Sequence, residues 1–146
     1  KKQIAMYQNI KPLSPKAYKI FKVMADAART DEEQAIKIDN ATDFMPVCVE
    51  IIYNINAHEE HVSIAHYGQE NGDLMRDPEI IFYHDRNEGK AYAMNYRNDY
   101  FNSWEVSIKE GDDGRPAMVN QIRQRQHTEF AELWLNNIKK QQGFNL

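Results

Sequence analysis

The hydrophobic period of this chain changes twice, and that change limits the fold more than any other feature. In "LSPKAYKIFKVMADAAR", Ala17, Tyr18, Ile20, Phe21, Met24 and Ala28 recur at helical spacing and make one apolar stripe. The middle of the chain then alternates at period two. From Pro116 to Gln142 the helical period returns, with Val119, Ile122, Phe130, Leu133, Trp134 and Ile138 as the expected seam. Strands joined by short turns form antiparallel neighbours, and amphipathic helices at both ends must bury their stripes on the sheet they flank. The expectation is therefore a single α+β domain over 1–146. It is an antiparallel meander of about five strands, with an N-terminal helix and a long C-terminal helix packed on one face.

The local signals agree with that order. Ser14 suits a helix cap and Pro15 the first helical turn. "AIKID" reads as a short strand. "PVCVEIIYN" is stronger, with Val47, Val49, Ile51 and Tyr53 on one face. "INAHEEH" turns the chain into "VSIAHY". A polar stretch follows, then "EIIFYHD", a hairpin turn "RNEGK", "AYAMNYR" and "WEVSIK". "EGDDGRP" is a further turn. Lys139 and Lys140 suit the end of the last helix, and Gly143 can stop it.

Charge is distributed unevenly. Residues 1–25 carry six lysines and no acid, whereas residues 26–60 carry nine acids against Arg29 and Lys37. The whole chain is at −4, which does not indicate a duplex-binding surface. The single cysteine, Cys48, excludes an intramolecular disulfide and a multi-cysteine zinc site, and points to a reducing, cytoplasmic setting. No apolar run approaches the roughly 20 residues of a membrane helix, so no membrane partner is expected. "KKQIAMYQNIKPLSPK" has no apolar core and does not read as a secretory signal.

The stretch "AHYGQENGDLMRDPEIIF" at 65–82 holds the most chemically capable side chains and reads as two strands joined by a polar loop over 68–79. Asn71, Gly72 and Asp73 are turn formers, and Asp77–Pro78 orders the start of a strand. A shaped loop satisfying its own backbone is the leading reading. The alternative is a metal-dependent hydrolase using His66, Asp73 and Asp77, although the spacing fits no calcium or zinc motif. Cys48 lies in an apolar strand with no base nearby, and no nucleophile elbow or phosphate-cradling glycine loop is present. No catalytic residue, metal or cofactor is expected.

The aromatic residues of the sheet half are a different kind of signal. Tyr67, Tyr83, Tyr92, Tyr96, Tyr100, Phe101 and Trp104 all fall there, with Arg97 among them. Helices confined to one face leave the other free for contact with protein or stacked bases. Acidic turns at 31–33, 59–60 and 110–113 could imitate phosphates, although solvated turns are the default.

"VSIAHYGQENGDLMRDPEIIF", "YAMNYRNDYF" and "EFAELWLNNIKKQQGF" together resemble a small family carried on bacterial plasmids, conjugative elements and phages. Its members share an H-Y-x-x-x-N-G-D-L-x-x-D-P-E core, a Y-R-x-D segment and an F-x-x-x-W helix. The resemblance covers roughly residues 45–146 and implies a mobile-element setting. It directs attention to His66, Tyr67, Asn71, Asp73, Asp77, Glu79, Tyr92, Tyr96, Arg97 and Asp99 as binding residues. By analogy with other small cargo proteins it implies an anti-defence role of the anti-CRISPR kind. That role is non-enzymatic inhibition of a host nuclease or other defence protein, an RNA-guided nuclease first. The alternative is a plasmid or conjugation accessory module that binds nucleic acid through the Lys1–Lys22 arm, or binds a partner protein. An aromatic face or an edge strand would also allow pairing with a second copy.

Overall fold

A computed structural model describes residues 9–146. Helix α1 (Pro15–Thr30) leads into a meander of β1 (Ala35–Ile38), β2 (Val47–Asn54), β3 (Glu59–Glu70), β4 (Asp73–Asp85), β5 (Lys90–Asn98) and β6 (Ser103–Val106). The six strands lie in chain order, every neighbour antiparallel. A short 3-10 turn, Asp99–Phe101, separates β5 from β6. A small hairpin of β7 (Ile108–Glu110) and β8 (Pro116–Val119) precedes helix α2 (Gln121–Gln142).

Both helices pack on one face, as the periodicity predicts. Phe21, Met24 and Ala28 of α1 and Ala131, Leu135 and Ile138 of α2 meet Val49, Ile64, Ile80, Phe82 and Ala93 in one core. The opposite face is half covered. The β7–β8 hairpin lies over the end of the sheet that carries Tyr83, Tyr92 and Met94, all buried there with Ile10 and Ile108. Arg115 clamps it with paired hydrogen bonds of 2.8 Å to the Glu59 carboxylate, and His61 Nε2 donates to Gly114 O at 2.7 Å.

Three expectations need correction. "WEVSIK" is two strands, because buried Ser107 turns the chain, donating its N–H to Met94 O at 2.8 Å. The last helix starts at Gln121, where Asn120 caps it; Pro116–Val119 pairs with β7 instead. Its buried face is also different. Ile122 is 76% and Leu133 62% exposed, while Gln124, His127, Thr128 and Gln142 are buried. These polar side chains satisfy loop backbone: Gln124 bonds Lys11 N and O at 2.9 Å, and Gln142 bonds Asn40 N at 2.8 Å and Met45 O at 3.2 Å. A helix that must satisfy unpaired loop amides buries polar groups in positions where a sequence pattern looks for leucine.

Candidate functional site

The stretch read as a loop over 68–79 is a long hairpin arm. β3 runs to Glu70, β4 starts at Asp73, and only Asn71 and Gly72 turn between them. Their φ values of 53° and 84° are those of a tight two-residue hairpin turn. Asn71 and Asp73 are therefore exposed at the tip. Beyond Val47↔His66, β2 no longer pairs with β3, so the arm projects past the sheet. A bulge at its root, containing the cis Asp77–Pro78 bond, shifts the register from Ala65↔Glu79 to Tyr67↔Arg76.

Strand alternation, re-phased by the bulge, places Ser63, Tyr67, Arg76, Glu79, Arg97 and Trp104 on the face away from the helices, beyond the β7–β8 hairpin. Asp99 organises this surface. Its carboxylate accepts from Arg76 N at 2.8 Å and Arg76 Nη1 at 3.2 Å, and lies 3.4 Å from Arg97 Nε. The Arg76 backbone N–H, followed by the two guanidinium charges, holds the Asp99 carboxyl below the usual range. Glu79 accepts from Ser63 Oγ at 2.5 Å and lies 3.2 Å from Arg76 Nε. Asn98 Nδ2 donates to Asp77 at 3.2 Å. The Arg97 guanidinium lies over the Trp104 ring, 4.7 Å from its centroid. Burial, followed by the Glu79 charge, raises the Tyr67 phenol.

Large apolar groups surround these arginines. Trp104 is 64%, Phe101 77% and Leu74 63% exposed. Tyr100 packs on the arm at Gly68, where a Cβ would come within 2.3 Å of its hydroxyl.

The chain belongs to the DUF6908 family. Residues 18–145 match that family, described as a domain of unknown function. Neither a curated protein nor a solved structure matches the chain. The matched span runs from within α1 through the meander and the arm to the end of α2 of the DUF6908 domain.

The expected binding residues divide among five places. Tyr67, Glu79, Arg97 and Asp99 gather on the open face, while Asp77 sits in the bulge and accepts from buried Asn98. Asn71 and Asp73 mark the arm tip. Tyr92 is buried beneath the β7–β8 hairpin, its ring 6.0 Å from that of Tyr83. His66 and Tyr96 point to the helix side. His66 Nδ1 donates to Pro46 O at 3.0 Å, with its ring 5.5 Å from Trp134; Tyr96 lies 5.4 Å from Phe130. His66, Asp73 and Asp77 thus do not converge, and among the described residues no three His, Cys, Asp or Glu are grouped to hold a metal. The acidic pair at 59–60 is not a solvated turn either: Glu59 is bound by Arg115 and Glu60 by Arg29.

Arg76 escaped the sequence reading because it stands at an unspecified position of the core motif. Simple alternation puts Arg76, three residues before Glu79, on the opposite face, and only the bulge at Asp77–Pro78 brings the two together. Also unforeseen is a Ser107–His127–Glu105 relay, with contacts of 2.9 and 3.0 Å. Ser107 is 2% exposed and its hydroxyl also lies 3.0 Å from Met94 O, so the relay ties α2 to the β6–β7 junction. Burial lowers the His127 pKa, against the raising effect of Glu105.

Proposed function

We propose that this protein is a mobile-element anti-defence protein that inhibits a host nuclease complex in the cytoplasm by binding it. An RNA-guided nuclease of the CRISPR type is the first target. The observation that carries the reading is the Arg97–Trp104 stack, standing exposed on the open face and held in place by Asp99. Arginine, tryptophan and tyrosine are the side chains enriched among those that dominate protein-contact energetics. Asp99 restrains both guanidinium groups before any partner arrives, which lowers the ordering cost of contact. The carboxylates of this face support binding over catalysis: Asp99 and Glu79 hold Arg76 and Ser63 in position.

The test is cleavage of target DNA by a purified RNA-guided nuclease, titrated with this protein before and after guide loading. Inhibition saturating near one protein per nuclease, and weakened by Trp104→Ala and Arg97→Ala in folded variants, is the expected result. Full inhibition by both variants moves the contact surface elsewhere. No inhibition of several nuclease types overturns the anti-defence reading. Salt-sensitive DNA binding through the lysines of the N-terminal segment then becomes the reading to measure. Lys1 and Lys2 of that segment lie outside the described residues; Lys16, Lys19 and Lys22 lie on α1.

A further inference from the structure

A second surface, near the start of α2, carries charge of one sign only. Two grooves of about 850 and 470 Å³ meet there, with Asn9 and Gln121 in the walls of both. Lys109 lines the larger, and Lys11 and Arg125 line the smaller. Arg123 stands at the rim, its Nη1 donating to Val106 O at 3.4 Å. Among the described residues no carboxylate lines either groove, and none of the four cations is in an ion pair. The acids beside them in the chain are turned away: Glu105 meets His127 at 3.0 Å, and Glu110 meets His61 at 3.2 Å. Glu129, one turn beyond Arg125, lines neither groove. Residues 1–8 contain two lysines and no acid, so they supply no counter-charge.

This concentration of charge does not serve the fold. Four like charges on one surface repel one another, in a chain whose net charge is −4. The apolar lining between them is aliphatic. Val106, Met118 and Val119 line the larger groove. Met118 is 66% exposed, and Ile122, next in the chain to Gln121, is 76% exposed. No aromatic ring lines either groove among the described residues.

We propose that the paired grooves take an acidic segment of a partner protein. Its aliphatic side chains lie against Val106, Met118 and Val119, and its carboxylates against Lys11, Lys109, Arg123 and Arg125. Unpaired cations around an apolar cleft select a ligand that carries both kinds of group. A nucleic acid matches the cations alone, since its bases find no ring to stack on. A second copy meeting this surface face to face brings the same four cations, and residues 1–8 bring two more. The inference does not depend on the nuclease reading: Arg97 and Trp104 line neither groove, so Trp104→Ala should leave this binding unchanged.

The experiment uses the whole chain and a fluorescein-labelled Glu-Leu-Glu-Asp-Leu-Glu peptide, read by anisotropy. Saturable binding that weakens with added salt is expected. Lys109→Glu combined with Arg125→Glu weakens it by about tenfold or more. Met118→Ser weakens it in the same direction. All three positions are exposed, so these variants keep the fold, which circular dichroism checks. The proposal is overturned by no saturable binding, or by equal binding of the peptide with its leucines replaced by serine or its acids by lysine. Equal capture of an oligothymidylate or of phosphatidylserine vesicles also overturns it. So does self-association that the double variant abolishes, which assigns the surface to a second copy. Binding that appears only in an Ile4→Ser, Met6→Ser variant overturns it as well, and assigns the grooves to residues 1–8.

Discussion

Two arginine–carboxylate networks lie at opposite ends of the same sheet, and they serve different purposes. At one end Glu60, 1% exposed, accepts from Arg29, which also reaches Asp26 at 2.6 Å. His84 Nδ1 donates to Glu60 at 2.8 Å, and the Tyr18 hydroxyl meets His84 Nε2 at 2.8 Å. These groups join α1 to β3 and β4 under the core. At the other end Arg76 and Arg97 are each about one third exposed around Asp99. The same ion-pair chemistry fastens a helix where water is excluded and presents guanidinium groups where water remains. Burial sets the difference: an uncompensated buried charge is far costlier than an exposed one.

The comparison predicts unequal responses to mutation. Glu60→Gln leaves Arg29 with Asp26 alone and His84 without a carboxylate, and should cost roughly 3 kcal/mol in urea unfolding. Asp99→Asn should cost about 1 kcal/mol or less, because its guanidinium partners can turn to solvent. Equal losses would refute the division into fastening and presenting networks.

Acid should act on the buried end first in magnitude. Burial pushes the Glu60 carboxyl up, but Arg29 and His84 outweigh it and bring it down to about 2. Arg115, helped by Tyr83 and Asn56, also brings Glu59 down to about 2. Both carboxyls are depressed in the folded chain, so their contribution is present above the ordinary value of 4.5 and is lost as pH falls toward 2. The loss is at most roughly 3 kcal/mol for each carboxyl. Thermal unfolding from pH 6 to about 2 should show this fall, and Glu60→Gln should flatten part of it.

Smaller effects sharpen the open end. Trp104→Ala should change stability by no more than about 1 kcal/mol, the scale of an exposed cation–π contact, while target inhibition falls. Gly68→Ala forces the Tyr100 hydroxyl away and should cost about 1 kcal/mol or less, since Tyr100 is half exposed and can move. In a Tyr100→Ala background the same change should be nearly neutral. Tyr96→Ala acts on the helix side of the sheet. It should reduce stability by removing the ring packed against His127 and Phe130.

Much of the architecture was legible because period is local. The α1 stripe, the strand order, the Ser14 cap and the Gly143 stop each depend on residues a few positions apart. Asn71-Gly72 was read correctly as turn chemistry, but the flanking polar residues concealed that both strands continue to it. The site was less legible. Tyr67, Glu79, Arg97 and Asp99 share one face of the sheet, whereas His66, Tyr92 and Tyr96 resemble them in the sequence and sit elsewhere.

By itself, then, the sequence determined the α+β class, the meander and the turn that makes the arm, since hydrophobic period and turn propensity act over neighbouring residues. Only the tertiary structure decided which face stays open. That depends on the β7–β8 hairpin closing over Tyr83 and Tyr92, on the bulge re-aiming Arg76, and on α2 burying Gln124 and Gln142 to satisfy distant loops. Each is a contact between residues far apart in the chain, whose free energy is set by burial and unpaired backbone, quantities that exist only once the chain has folded.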